Sequence, residues 1–284
     1  MRKIKLVTDN TCDLNKDYLE EKEIKVMPLP VTVSGITYLS DVNIDTKQLF
    51  EKIEETGEMP KTANINWYDF TEVFQELIAQ DYDVIYIGIG QKLSSTYQNA
   101  ILAAREFPEG RITILDSDNL SSGTGLSVVR IQKLIEEGKS VEDIIIEVNR
   151  FVPLVRAHFA INTFEYLHKG GRCSSMIRII GTVLRIKPII KVTNGKLDVA
   201  KKPMGIFKKA IDAQLDYLDR DKDNVDLDVI FITHCFALDE DIEYAKKGIN
   251  MLIPNANIVV TNAGTIIACH CGPRTIGILY ALKK

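Results

Sequence analysis

The sequence predicts an α/β protein of two domains. The N-terminal one is a mostly parallel α/β sheet and the C-terminal one is α+β. Three observations carry this. The first half alternates short β-rich runs with amphipathic helical stretches, the order that yields right-handed crossovers and a parallel sheet. The second half holds a hairpin signal, Asn194-Gly195 between alternating strands, set among helices. The length of 284 residues fits two ordinary domains.

The elements follow in order. Residues 4–9 (IKLVTD) and 83–90 (DVIYIGIG) read as strands. In residues 95–107, Tyr97, Ala100, Ile101, Ala104 and Phe107 recur at helical spacing, and Pro108-Glu109-Gly110 stops that helix. Residues 111–116 form the next strand. SSGTG (121–125) reads as a loop leading into a helix that Gly138 closes, and 141–152 is a further helix. A boundary near residues 150–157 gives domains 1–155 and 156–284. In the second, 158–172 predicts a strand leading to a turn or short helix, and 174–186 a compact apolar helix. After the 188–202 hairpin come a helix (207–220), a strand (228–234), a helix (239–253) and a strand (257–263). The segment 264–270 is expected to end a strand at His270, with a final helix after Pro273.

Composition removes several classes. There are 35 Lys+Arg against 39 Asp+Glu, a net charge of −4, so the basic surface that nucleic acid demands is not expected. The N-terminal apolar stretch is broken by Lys5 and ends at Asp9, too short for a secretory signal. The apolar segment 176–192 carries Arg178, Arg185 and Lys187 and falls short of a membrane span. A cytoplasmic protein without stable membrane insertion is expected. Five scattered cysteines favour reduced thiols. Cys269-His270-Cys271 invites a zinc reading. Were it extended, His270 would face away from both cysteines, and no C-x-x-C spacing exists.

Common catalytic motifs fail. Gly138-Lys139-Ser140 ends a helix, and Lys133 occupies the place of the first P-loop glycine. Gly88 and Gly90 begin a dinucleotide fingerprint whose third glycine would be Leu93. No serine sits in a G-x-S-x-G elbow. The turn from Gly90 to Thr96 is more informative. Ser94 or Ser95 can cap the helix, and a helix N-terminus at a strand's carboxyl end can take a carboxylate or phosphate. Two other loops can supply partners: Pro60-Lys61-Thr62-Ala63-Asn64, and the helix start beside His270. Lys169-Gly170-Gly171-Arg172 reads as a flexible turn holding a guanidinium.

At these residues the chain resembles the DegV family of bacterial fatty-acid-binding proteins, over about residues 2–282. Asp9-Asn10-Thr11-Cys12-Asp13-Leu14 is similar to its Asp-Ser-Thr-Ser-Asp-Leu, and Pro60-Lys61-Thr62 to the start of its Pro-Lys-Thr-Ser-Gln-Pro. Leu93-Ser94-Ser95-Thr96-Tyr97-Gln98 resembles Leu-Ser-Gly-Thr-Tyr-Gln, and residues 164–172 resemble Leu-Glu-Tyr-Leu-Lys-Lys-Gly-Gly-Arg. Ile186-Lys187-Pro188-Ile189 and His270-x-Gly272-Pro273 complete the ordered series.

The resemblance implies a long-chain fatty acid held between the two domains, with no cofactor. Its carboxylate is expected on Thr62, Ser94 and His270, with Ser95 beside them. Arg172 is expected at the rim, where a fatty acid kinase makes the acyl-phosphate while the ligand stays on its carrier. The protein is then a carrier and not itself a catalyst. Buried hydroxyls, an imidazole and a helix N-terminus suit a carboxylate withdrawn from water. The stretch 176–190 is the candidate tunnel wall, with Met176, Ile180, Val183, Leu184 and Ile189 facing the tail. The chain departs from the pattern in places. Ala63-Asn64 follows Thr62, Ser95 replaces a glycine, and Lys201-Lys202-Pro203 lacks the usual Lys-x-Arg. Arg274 replaces a second glycine and is expected to add a cation near His270. Two other functions compete: an esterase-type hydrolase with Ser94 as nucleophile and His270 as base, and a metal-binding module at Cys269-His270-Cys271.

Overall fold

The computed structural model describes residues 2–172 and 186–283. Its fold class is the mixed α/β arrangement that the strand–helix alternation predicts. One sheet is wholly parallel, in the order β2-β1-β6-β7. Its strands are β1 (Ile4–Asp9), β2 (Lys25–Met27), β6 (Asp83–Gly88) and β7 (Ile112–Asp116). Parallel strands are covered on both faces, and β6 shows this residue by residue. Val84 and Tyr86 pack with Phe70 and Phe74 on one side, while Ile85 and Ile87 pack with Val128 and Ile131 on the other. The first side belongs to α3 (Trp67–Ala79) and α4 (Thr96–Ala104). The second belongs to α5 (Ser121–Glu136) and α6 (Val141–Phe151), with α1 (Lys16–Glu21) nearby.

A small antiparallel sheet joins β3 (Pro30–Val33), β4 (Ile36–Leu39) and β5 (Lys61–Thr62). The polar loop expected at 60–64 is therefore partly strand, and Val31 pairs with Thr62 to fix that residue's place. Helix α2 (Thr46–Thr56) follows β4 and starts with a capping box, Asp45 with Gln48.

The second half builds a six-stranded sheet, β10-β9-β8-β13-β11-β12. The strands are β8 (Val155–Ala160), β9 (Ile189–Thr193), β10 (Lys196–Lys201), β11 (Ile230–Cys235), β12 (Ile258–Asn262) and β13 (Thr275–Ala281). Only β11 and β12 run parallel; the other neighbours are antiparallel. The predicted β9–β10 hairpin is present. Asn194 and Gly195 both adopt positive φ, 47° and 69°, as a tight two-residue turn demands. Helices α8 (Lys208–Asp221) and α9 (Asp239–Leu252) cover the outer face. The inner face looks toward α5, whose Leu126 packs with Ala157, Phe231 and Leu279. Helix α5 is thus a shared layer between the two large sheets. Two short helices, α7 (Glu165–Lys169) and α10 (Thr265–Cys271), complete the described elements.

Three expectations are corrected. SSGTG is the first turn of α5, not a loop. Positions 123 and 125 exclude a side chain because a β-carbon on Gly123 would strike Asn119, and one on Gly125 would lie 2.7 Å from the Cys12 carbonyl oxygen. Residues 265–271 are helical, so the extended geometry assumed for Cys269-His270-Cys271 does not apply. The segment after Pro273 is strand β13, not a helix. Every residue from Thr275 to Ala281 is buried, at the centre of the sheet. A strand buried on both faces loses the alternation that would mark it as β.

Candidate functional site

A cavity of about 340 Å³ lies where β5, the start of α4, the end of α10 and the inner face of the six-stranded sheet meet. Its polar end gathers Thr62, Asn64, Ser94, Ser95, Arg172 and His270. These come from four separate stretches of chain. Thr62 Oγ1 and His270 Nε2 are 3.0 Å apart across 208 residues of sequence. Ser94 Oγ accepts from Thr96 N at 3.2 Å and lies 2.9 Å from Thr96 Oγ1. Ser94 therefore satisfies the first N–H of α4, though the residue at the helix cap position is Ser95. The exposed Ser95 accepts instead from Asn64 Nδ2.

His270 sits on the last turn of α10. Burial lowers its pKa to about 4, with the Arg172 charge acting in the same direction, so the imidazole is neutral at pH 7. Its Nδ1 is buried with no hydrogen-bond partner among the described residues. Arg172 Nη1 donates to Gly170 O at 2.7 Å, which holds the guanidinium beside the cavity.

The remainder of the lining is mainly apolar. Phe159, Leu167, Leu197 and Leu279 form walls, with Leu93 and Leu120 opposite. Gly277 lies between Thr275 and Leu279 on β13, where a β-carbon would stand 3.0 Å from the His158 carbonyl oxygen. The other hydroxyls that line the cavity have protein partners. Thr233 bonds Ser122 and Thr261, Thr275 donates to the Cys271 and Gly272 carbonyls, and Ser121 donates to Asp13. Their hydrogen-bonding capacity is directed into protein, leaving the Thr62–His270 pair and Ser94 among the polar groups that face open space, with Arg172 and His234, whose Nδ1 also has no partner among the described residues.

The N-terminus of α10 is held from the first half of the chain. Asp13 Oδ1 accepts from Gly264 N at 2.9 Å. Asp41 Oδ1 accepts from Thr265 N at 3.0 Å and from Thr265 Oγ1 at 2.6 Å. Asp9 accepts four hydrogen bonds, from Thr11 N and Oγ1, Tyr86 Oη and Ile89 N. Burial raises the pKa of both Asp9 and Asp13.

Of the residues singled out in sequence, Thr62, Ser94, Ser95, Arg172 and His270 come together here. Arg274 does not. It turns from the cavity to Asp241, with Nη2 3.4 Å from Oδ2, and lies over the Phe207 ring. Its φ of 57° explains why glycine suits this place, and the buried Asp241 carboxylate draws the side chain away. Ile189 is also corrected: it packs against Ala210 and Ile211 on the outer face, while its neighbour Ile190 faces inward. Strand periodicity of two makes that one-residue difference decisive. Met176, Ile180, Val183 and Leu184 lie outside the described residues.

The competing functions find little geometry. Ser94 bonds Thr96 and His270 bonds Thr62, so no Ser94–His270 dyad exists, and no carboxylate meets His270 Nδ1 among the described residues. Cys269 packs in the core of the first half and Cys271 against Phe50 and Cys235, on different sides of α10 from each other. No group of three or more His, Cys, Asp or Glu side chains that could hold a metal ion occurs among the described residues. None of the described helices is long and apolar enough to cross a membrane. The apolar walls on β8 and β13 went unnoticed in sequence. Alternation in Ala157 and Phe159 was a usable signal, whereas β13 carried none.

A model of the family described as "Uncharacterised protein, DegV family" matches residues 3–283. A DegV domain-containing protein of Clostridium acetobutylicum is 32% identical over 284 residues, covering 100% of both chains. Among solved structures, a fatty-acid-binding DegV family protein of Thermus thermophilus is 31% identical with a TM-score of 0.89, covering 99% of this chain and 100% of its own. DegV of Bacillus subtilis, a fatty acid binding protein, is 27% identical with a TM-score of 0.87 and full coverage of both chains. By full-length sequence match and by fold, this chain belongs to the DegV family.

Proposed function

We propose that the protein is a non-catalytic carrier that binds one long-chain fatty acid and presents it to a fatty acid kinase for acyl-phosphate formation. The observation that carries this is the cavity itself. The Thr62–His270 pair and Ser94 line it beside apolar walls, and the other lining hydroxyls, those of Ser121, Thr233 and Thr275, have partners within the protein. That is the complement of a carboxylate on a hydrocarbon tail. A sixteen-carbon tail at ~0.8 kcal/mol per CH₂ gains on the order of 10 kcal/mol before ordering costs, which suits slow release. The fatty-acid-binding relatives at 31% and 27% identity support the same ligand class. The kinase role rests on the family resemblance and on Arg172, exposed beside the cavity. We further read residues 1–155 and 156–284 as two domains that clasp the ligand. In support, the strands of the six-stranded sheet all begin at or after Val155, while those of the other two sheets all end before it.

Mass spectrometry of protein purified from cells should release about one fatty acid per chain. An empty protein that also fails to bind added oleate or palmitate would overturn the reading. Acyl-phosphate formation from loaded protein, ATP and a purified fatty acid kinase tests the second half. No turnover with several such kinases would confine the role to binding.

A further inference from the structure

We propose that His270 acts on the bound carboxylate through Thr62. Its Nε2–H donates to Thr62 Oγ1, so that the threonine hydroxyl proton is given to the ligand, and Gly170 is the positioning residue that enforces this direction. The inference rests on the fatty-acid reading above and deepens it.

A neutral imidazole carries one proton, and the 3.0 Å contact between Nε2 and Thr62 Oγ1 fits either direction. What decides is the other edge of the ring. Among the described residues Nδ1 is buried without a partner, and the backbone of Gly170 closes over it. A β-carbon on residue 170 would collide with Nδ1, stand 2.9 Å from Cε1 and 3.0 Å from the Tyr166 carbonyl oxygen. Neither a side chain nor water fits there. The hydrogen that Gly170 carries in place of a β-carbon is directed at Nδ1, so a proton on that nitrogen would press against a C–H with no acceptor, whereas a bare lone pair accommodates the contact. The proton therefore belongs on Nε2.

Thr62 then accepts from His270 and has one proton of its own to give. Ser94 accepts from Thr96 N and also contacts Thr96 Oγ1 at 2.9 Å; where Thr96 donates in that contact, the Ser94 proton is likewise left for the ligand. The Thr62 hydroxyl is thus committed as a donor before a ligand arrives. An ionised carboxylate only accepts, so this is the polarity it requires. The geometry also accounts for two adjacent glycines with different duties. Gly171 has φ +71° and serves the turn. Gly170 has an ordinary φ of −73° that any residue adopts, so contact with His270 is what reserves it for glycine.

The test uses the full-length protein with ¹⁵N-labelled histidine and hexadecanoic acid as the probe. Long-range ¹H–¹⁵N spectra at neutral pH report which ring nitrogen bears the proton. The His270 signals are those lost in His270→Gln. A neutral ring with its proton on Nε2, with and without hexadecanoate, is expected. A proton on Nδ1, or on both nitrogens, overturns the proposal even if Gly170→Ala cannot be made to fold. In folded Gly170→Ala, a mixed tautomer signal and roughly tenfold or greater loss of hexadecanoate affinity are expected. Unchanged spectra and affinity overturn the part given to Gly170. Failure of the wild-type protein to bind any fatty acid sinks the functional reading; an Nδ1 proton in a protein that does bind sinks this inference alone.

Discussion

The two ends of α10 are polar, buried and built from residues far apart in sequence, yet they differ in one respect. At the N-terminal end each carboxylate has donors. Asp13 takes Gly264 N and the Ser121 hydroxyl, Asp41 takes Thr265 and Asn10, and Asp9 behind them takes four hydrogen bonds. At the C-terminal end His270 has Thr62 on Nε2, which borders the cavity, and among the described residues no hydrogen-bond partner on Nδ1, which Gly170 covers. A closed polar network holds a helix in place. An open one beside an apolar cavity has capacity left for a ligand. The contrast teaches how to read buried polar groups here: those with complete partners belong to stability, and those with spare capacity to the proposed binding site.

That division is open to attack from both sides. The largest effect is expected at Asp9→Ala, which strands four donors, two of them backbone. A loss on the order of 3–5 kcal/mol follows, read as a lower midpoint in chemical denaturation. A loss below ~1 kcal/mol would break the claim that this end is structural.

Next comes acid. The folded pKa values of His270 and His158 are lowered to about 4, the unfolded value being near 6.5. Between those limits the unfolded chain binds a proton that the folded chain does not. The stability each histidine permits is therefore complete above pH 6.5 and is lost progressively as pH falls to about 4. The amount is on the order of 3 kcal/mol per group. Asp9 and Asp13, with raised pKa values, work in the opposite sense, so the histidine share is isolated by difference. His158→Gln should flatten the fall in stability from pH 6.5 to pH 4.5; an unaltered slope would contradict it.

Thr62→Val comes third. It should weaken fatty-acid binding by roughly 10- to 100-fold, the ~1.5–3 kcal/mol of a hydrogen bond to a charged group. The melting temperature should move little. A large fall in melting temperature with intact affinity would reverse the assignment of the two ends. The smallest effect is expected at Lys92, whose Nζ reaches Asn194 O at 2.7 Å and Asp118 at 3.3 Å, tying the hairpin tip to the loop before α4. Because the pair is partly exposed, Lys92→Ala should cost under ~1 kcal/mol and sharpen the comparison as its neutral reference.

Much of the architecture was legible because its causes are local. Residues 83–90 announced a strand, 141–152 a helix, and Asn194-Gly195 a hairpin, each from signals within a dozen residues. The site residues were legible through the ordered motifs, since Thr62, Ser94, Arg172 and His270 each sit in one. The errors fall where local signals run out. Residues 276–281 carry no charged or strongly polar side chain, and strand and helix look alike in such a run. Gly123 and Gly125 suggested a loop, yet they are glycines because Asn119 and Cys12 press on the first turn of α5. Arg274 looked close to His270 along the chain and is drawn instead to Asp241.

By itself, then, the sequence determined the periodicities, turns and caps, and with them an α/β chain whose polar motifs fall at the ends of strands and helices. Those depend on contacts within a turn or two of backbone. Only the tertiary structure decided that Thr62 meets His270 across 208 residues, that Ile190 and not Ile189 faces inward, and that Gly170 seals one edge of the imidazole. Such relations follow from which faces are buried against which, and burial is settled by the packing of the whole chain rather than by any segment of it.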